Sequence, residues 1–317
     1  MQTMKASVYH RYGPADELEV RDVPVPSPRS GAVRVQVHAA GLNPKDVLIR
    51  KGRMRWMSRG PFPRVPGYDV AGVTLDPWEG QPEGMPVYGM IQSQRGGACA
   101  EVAVLRPREL ARMPRGLSFA DAAGLPLAGL TALQALRDEL DVRPGHHVLI
   151  NGASGGVGTL AVQIARALGA DVTAVCSGRN AELVRSLGAN RVLDYTQTDP
   201  RRERGLDQVF DVFGNLGWPA ARRMLSPKGR FCTTIPRLSH VARGVLRRVG
   251  LHRAALVIVQ SHTRDLEQLA AWIEAGTLRP VVDRVVSLDE ASAGHRHLET
   301  RRAKGKVVVS INAGVRA

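Results

Sequence analysis

His147-Val148-Leu149-Ile150-Asn151-Gly152-Ala153-Ser154-Gly155-Gly156-Val157-Gly158 is the stretch that decides the fold. A short apolar run enters a glycine-rich turn. The turn enters a helical pattern in which Val157, Leu160, Ala161, Ile164, Ala165 and Leu168 recur on one face. Strand, glycine turn and helix open a mononucleotide-binding unit. The glycines let the backbone approach a pyrophosphate, and N–H groups at the helix start face the anion. The spacing is Gly152-x-x-Gly155-x-x-Gly158 with Gly156 added, and the flanking strand and helix supply the context such a motif needs. Ser154, Gly155, Gly156 and Val157 are the candidate pyrophosphate contacts. Gly152-Ala153-Ser154-Gly155-Gly156 also fits the G-x-S-x-G elbow of serine hydrolases. The glycine period running on to Gly158, and the next strand at Asp171 to Cys176, argue against that reading.

Outward from this stretch the elements alternate. Strands are expected at Arg191 to Leu193, Val209 to Phe213 and Arg230 to Thr234, with a short one at Leu256 to Gln260. Helical patterns lie between the strands at His147, Asp171 and Arg191 and before the one at Arg230, which implies an α/β fold: a doubly wound parallel sheet of Rossmann type. Upstream the character differs. Lys5 to Tyr9, Val33 to Ala39, Val65 to Val73, Val87 to Ile91 and Cys99 to Val104 read as short strands among Gly and Pro turns, a β-rich barrel-like domain. Asn43 and Pro44 read as the N-cap and first residue of a short helix, Arg50 to Arg64 as a basic loop, and Ser118 as the cap of the next helix. Downstream come a helix at Asp265 to Ala275 and strands at Pro280 to Val286 and Lys306 to Ile311.

The formal net charge is +15 over 317 residues, nearly all of the excess being arginine. The basic residues are scattered, which argues against a nucleic-acid partner. Arg237 to Arg253 is the dense exception, an amphipathic stretch with Leu238, Val241, Val245 and Val249 on one stripe. It follows the strand Arg230 to Thr234 and reads as a lid over an apolar acceptor in preference to a patch for an anionic membrane. No apolar run reaches the ~18 residues that span a bilayer. Cys99, Cys176 and Cys232 form no C-x-x-C pair, and Met1 to Val8 lacks the core of a leader, so a reducing, cytoplasmic location is expected.

The cofactor is legible at the end of the next strand. NAD-binding units carry an acid about 20 residues beyond the glycines to bind the ribose 2′-OH. Here the strand ends Val175-Cys176-Ser177-Gly178-Arg179-Asn180; Asp171 stands at the wrong end and Glu182 in the following helix. Ser177 can donate to a phosphate and Arg179 can clamp one, which favours NADPH.

Ala39-Ala40-Gly41-Leu42-Asn43-Pro44-Lys45-Asp46, Pro66-Gly67-Tyr68-Asp69-Val70-Ala71-Gly72, Leu127-Ala128-Gly129-Leu130-Thr131, Ser186-Leu187-Gly188-Ala189, Asp194-Tyr195 and Gly305-Lys306-Val307-Val308 carry a resemblance over nearly the whole chain. The chain resembles the zinc-independent quinone oxidoreductase branch of the medium-chain dehydrogenases/reductases. That resemblance implies a chaperonin-10-like catalytic domain, residues 1–119 and 263–317, with the NADP-binding Rossmann domain, residues 120–262, inserted into it. It places Asn43, Tyr68 and Leu127 where zinc-dependent members carry Cys, His and Cys. No metal is expected there, since Zn²⁺ wants thiolate, imidazole or carboxylate. His295-x-His297 reads as a pair of surface histidines. The resemblance also suggests Asn43 and Thr131 for the nicotinamide end, Tyr68 as a proton donor and Tyr195 beside the adenine. The function implied is hydride delivery from NADPH to a small-molecule quinone or α,β-unsaturated carbonyl, in a chain compatible with a homodimer. Two alternatives stand beside it: a tailoring enoyl reductase, and a non-enzymatic NADPH-binding sensor or nucleic-acid-binding protein.

Overall fold

The computed structural model describes residues 2–27, 31–55, 58, 60–235 and 253–311. Residues 237–252, and with them the lid and membrane-patch readings, lie outside the described residues. The chain divides into two compact units, one of Met1–Leu127, Gln260–Gly276 and Pro280–Ala317, the other of Ala128–Val259 with Thr277–Arg279.

In chain order the first unit supplies β1 (Thr3–Val8), β2 (Glu19–Pro24), β3 (Val33–Leu42), α1 (Pro44–Arg50), β4 (Asp69–Thr74), β5 (Pro86–Met90), β6 (Val102–Leu105), β7 (Leu110–Arg112) and α2 (Phe119–Ala123). After α3 (Pro126–Gln134) the second unit runs through β8 (His147–Asn151), α4 (Gly156–Ala167), β9 (Asp171–Cys176), α5 (Ala181–Ser186), β10 (Arg191–Asp194), β11 (Leu206–Asp211), α6 (Gly217–Met224), β12 (Leu225–Thr233) and β13 (Ala254–Leu256). The chain then returns to the first unit with α7 (Thr263–Glu274), β14 (Val282–Ser287), α8 (Ala291–Glu299) and β15 (Lys306–Ser310).

The first unit is built on a mostly antiparallel sheet in the order β14-β15-β3-β4-β5-β7, with β6 also on β3. In β3, Val33, Val35 and Val37 are buried while Arg34, Gln36 and His38 are half-buried, the two-residue period expected of a strand with one core face. Register matters more than composition here. Val307 pairs with Leu42, and Gly41 pairs with Asp69. The starts of β15 and β4 and the end of β3 therefore lie side by side. The unit border falls after Leu127, past the expected 119, because α2 packs on β3 and β4 and the Leu127 N–H donates to the Asp69 carboxylate.

The second unit holds a parallel sheet in the order β10-β9-β8-β11-β12-β13. The chain winds outward from β8 in both directions. Right-handed crossovers then set the helices on opposite faces. The turn after β8 thus lies at the point where strand order reverses, where open parallel sheets bind ligands. Leu149, Val209, Phe231 and Met224 of α6 form part of its core, with Trp218 packed against Phe231.

Strands β2 and β7 are absent from the sequence-based expectation, and the expected basic loop is not all solvated. Arg50 is fully buried at the end of α1, where its guanidinium donates to the Gly13 carbonyl, Glu299 and His295 Nδ1. His295 is correspondingly not a surface residue: it is fully buried on α8, while His297 bonds Asp283 near the surface. Burial, aided by the Arg50 cation, lowers the His295 pKa from 6.5 to about 3. An unfolded chain takes up a proton below pH 6.5 that the folded ring refuses, so stability from this group is complete above 6.5 and is lost as pH falls toward 3. Unfolding in urea should therefore show stability falling by up to about 1.4 kcal/mol per pH unit on this account between pH 6 and 4. The slope should flatten in His295→Gln; equal slopes in the two proteins would show that the ring accepts its proton in place.

Candidate active site

At the aligned ends of β15, β3 and β4 the structure gathers three polar side chains. Asp69 is fully buried. Its Oδ1 accepts the Leu127 N–H at 2.6 Å, and its Oδ2 accepts Lys306 Nζ at 2.9 Å and Asn43 Nδ2 at 3.0 Å. Lys306 Nζ also donates to Asn43 Oδ1 at 2.5 Å. Gly41 is required beside them: a Cβ there would stand 2.3 Å from the Ala123 carbonyl and 2.8 Å from Asp69 Oδ2. Asn43 caps α1 by position, and its own N–H donates to Asp46 Oδ2 at 2.8 Å. Asp46 Oδ1 accepts the Gly67 N–H, yet burial pushes this carboxyl up to about 6.

Two consequences follow for Asn43 and for metal binding. The Asn43 amide is directed inward, both of its polar atoms engaged by Lys306, Asp69 and Gly41. A Zn²⁺ ion would meet a carboxylate already neutralised by a buried ammonium, an amide, and the apolar side chain of Leu127, a donor set that does not suit it. Among the described residues no group of three His, Cys, Asp or Glu could hold a metal ion.

Tyr68, just before β4, is buried, and its phenol donates to the Gln94 carbonyl at 3.1 Å. Burial first, and then the Asp46 charge, raise its pKa far above the usual phenol value. Lys45, on the first turn of α1, holds its Nζ 3.7 Å from the centre of the Tyr68 ring.

In the second unit the turn after β8 has the expected geometry. Gly152 has a φ of +85°, which favours glycine, and a Cβ on Gly158 would stand 2.1 Å from the Gly152 carbonyl. The turn therefore closes onto the first turn of α4, with Gly155 as N-cap. Ser154, Gly155, Gly156 and Val157 are partly exposed there, and helix starts leave N–H groups without intrahelical acceptors. Asn180 Nδ2 donates to Ser154 Oγ at 2.9 Å, tying this turn to the segment after β9. Asn180 Oδ1 is buried without a partner. Ser177 is half-buried and Arg179 exposed; the Arg179 guanidinium has no hydrogen-bond or ion-pair partner among the described residues. Tyr195 is exposed after β10, and Thr131 is buried on α3.

Sequence reasoning missed Asp194. It ends β10 beside Cys176, and a Cβ on Gly178 would lie 2.4 Å from its Oδ2. Its Oδ1 accepts from the Thr196 N–H and hydroxyl, so the acid secures the turn after β10. Lys306 was also missed, although it stands in a stretch quoted for the resemblance, because nothing near it in sequence signals its partner. Since Lys306 neutralises a buried carboxylate, Lys306→Met should destabilise the first unit by about 3–5 kcal/mol. Adding Asp69→Asn should recover part of that loss in urea unfolding. Equal stabilities of Lys306→Met and wild type would show that the pair contributes nothing.

Comparison with known proteins bears on this arrangement. A zinc-binding dehydrogenase family matches residues 187–309, and an alcohol dehydrogenase GroES-like domain matches residues 29–115. The chloroplast envelope quinone oxidoreductase homolog of Arabidopsis thaliana is 32% identical, over 96% of this chain and 98% of its own. The chloroplastic NADPH-dependent alkenal/one oxidoreductase of the same plant is 34% identical, over 96% of this chain and 79% of its own. Among solved structures, the quinone oxidoreductase from Coxiella burnetii superposes with a TM-score of 0.89 at 30% identity, covering 98% of this chain and all of that one. A GroES-like barrel, a parallel sheet in dinucleotide-binding order and relatives matched over almost the full length lead to one assignment: the chain belongs to the medium-chain dehydrogenase/reductase superfamily, in its quinone oxidoreductase-like branch, and is an oxidoreductase of the kind that uses a nicotinamide cofactor.

Proposed function

We propose that this protein is an NADPH-dependent reductase of quinones or α,β-unsaturated carbonyls that works without a catalytic metal. The observation that carries the reading is the buried Lys306 ammonium, held by Asp69 and Asn43 beside the positions that zinc-dependent members give to metal ligands. A side chain that neutralises the acid and leaves no coordination position cannot act as a Lewis acid on an alcohol oxygen. Acceptors that are already activated suit such a site. The names of the Arabidopsis and Coxiella relatives support that substrate class.

The residues of the second unit fit the cofactor. The closely packed glycine turn leaves Ser154, Gly155, Gly156 and Val157 to hold the pyrophosphate, with the Ser154 hydroxyl oriented by Asn180. Arg179, exposed and unpaired among the described residues, and Ser177 would take the 2′-phosphate, with Tyr195 against the adenine. Bound NADPH supplies the hydride. Thr131 is our candidate for the nicotinamide end, Asn43 fixes the strand end that carries α1, and Tyr68 lines the acceptor side. The three cysteines, free and buried, suit a reducing compartment, and we place the protein in the cytoplasm.

Two measurements test this reading. NADPH oxidation against a panel of quinones and enones should persist after exhaustive chelation; activity lost on chelation and restored by zinc would overturn the metal-free reading. Arg179→Ala should weaken NADPH binding on the order of tenfold, as for an exposed charge-assisted contact, and leave NADH binding unchanged. Equal wild-type affinities for the two cofactors would refute the preference.

A further inference from the structure

We propose that Lys45 is the proton donor of the reduction, its ammonium held over the face of the Tyr68 ring. The proposal rests on the reductase reading above, and it assigns to Lys45 the role that the sequence suggests for Tyr68.

The site holds two ammonium groups in opposite situations. Lys306 is closed off, its side chain 5% exposed and its donors on Asp69 and Asn43. Lys45 is half-buried, and among the described residues it has no hydrogen bond and no ion pair. The nearby carboxylates are already engaged, Asp46 by the Asn43 and Gly67 N–H groups, Asp69 by Lys306, Asn43 and Leu127. What holds the Lys45 ammonium is the Tyr68 ring face at 3.7 Å, an attraction that leaves its N–H donors available. An ordinary surface lysine extends its head into water or toward a carboxylate. This one lies over a buried ring, on the first turn of a helix, where the dipole disfavours a cation.

These placements also adjust its acidity. Burial lowers the Lys45 pKa, with Asp46 and Asp69 opposing. The charged and titratable groups around it are Asp46 on the same helix, Asp69 at the start of β4 with its partner Lys306, and Tyr68, which in turn faces Tyr9 and Arg64. Tyr68 is the poorer acid, since burial raises its pKa and its proton already bonds the Gln94 carbonyl. Burial thus makes Lys45 a stronger acid than an exposed lysine, which favours it over Tyr68 as a general acid.

For an enone, NADPH is oxidised to NADP⁺ as its hydride adds to the β-carbon; the π pair of the C=C bond shifts, and the carbonyl oxygen gains the negative charge. An N–H bond of Lys45 breaks and an O–H bond forms, giving the enol and a neutral amine. The amine regains its proton from water, and the enol tautomerises to the saturated ketone. For a quinone the same transfer converts the hydroquinone monoanion to the hydroquinone.

The test compares wild type with Lys45→Arg, which keeps the charge and the ring contact but does not release a proton in this pH range. In the wild type, kcat should fall as alkaline pH deprotonates Lys45. In Lys45→Arg, kcat should drop on the order of a hundredfold and the alkaline fall should disappear, with NADPH binding unchanged. A second readout needs no turnover. The chain has six lysines, so ¹³C-lysine labelling gives six Cε signals, and Lys45→Arg identifies one of them. That signal should titrate below those of the exposed lysines, with the midpoint of the kinetic fall. An active wild type whose alkaline fall survives in Lys45→Arg, or a Lys45 signal that titrates with the exposed lysines, overturns the role of Lys45 alone. A wild type that reduces no quinone or enone overturns the reductase reading and this role with it.

Discussion

The first unit depends on a single buried carboxylate. Asp69 must be compensated inside the protein, because an isolated charge there would cost several kcal/mol. Its two oxygens draw in the Lys306 ammonium, the Asn43 amide and the Leu127 N–H. Each partner belongs to a different segment, so satisfying one side chain fixes the start of β15, the entry to α1 and the entry to α3 relative to β4. Gly41 follows from the same constraint, for only a residue without a side chain lets α2 and Asp69 approach β3 this closely.

That carboxylate also sets the character of the catalytic side. A lysine charge is fixed by its own carbon chain, has no vacant ligand position and is matched by the acid beneath it. With Lys306 closed off in this way, electrophilic help for a substrate has to come from a group that still has donors to give, and Lys45 over Tyr68 is such a group. On the role proposed for Lys45, the two lysines would divide between them tasks that a single metal ion combines, one organising the protein and the other serving the chemistry.

The second unit was the more legible from sequence. The glycine period, the stripe from Val157 to Leu168 and the alternation of strands are local patterns, and local patterns survive without knowledge of the fold. Strands β2 and β7 escaped because β2 runs into the prolines Pro24, Pro26 and Pro28 and β7 spans three residues. The site was legible by residue type and not by direction. Asn43 could be picked out, but not that its amide faces Lys306, 263 residues away. Asp194 could be quoted beside Tyr195, but only the β9–β10 register brings it to Gly178. His295 looked superficial because its burial depends on Arg50, 245 residues distant. In each case the missing knowledge was a long-range pairing.

The distance along the chain between Asp69 and Lys306, 237 residues, bears on how the protein is made. As the chain leaves the ribosome, β3, β4 and α1 emerge early with their acid and without its cation. All of the second unit follows before Lys306 appears. That unit draws its sheet from one nearly contiguous stretch and can close during synthesis, as domains commonly do. The first unit cannot complete its core until the last strand arrives. Translation order and folding order are thus opposed: the part made first is finished last, and chains halted shortly before residue 306 would carry a completed second unit while the first stays open.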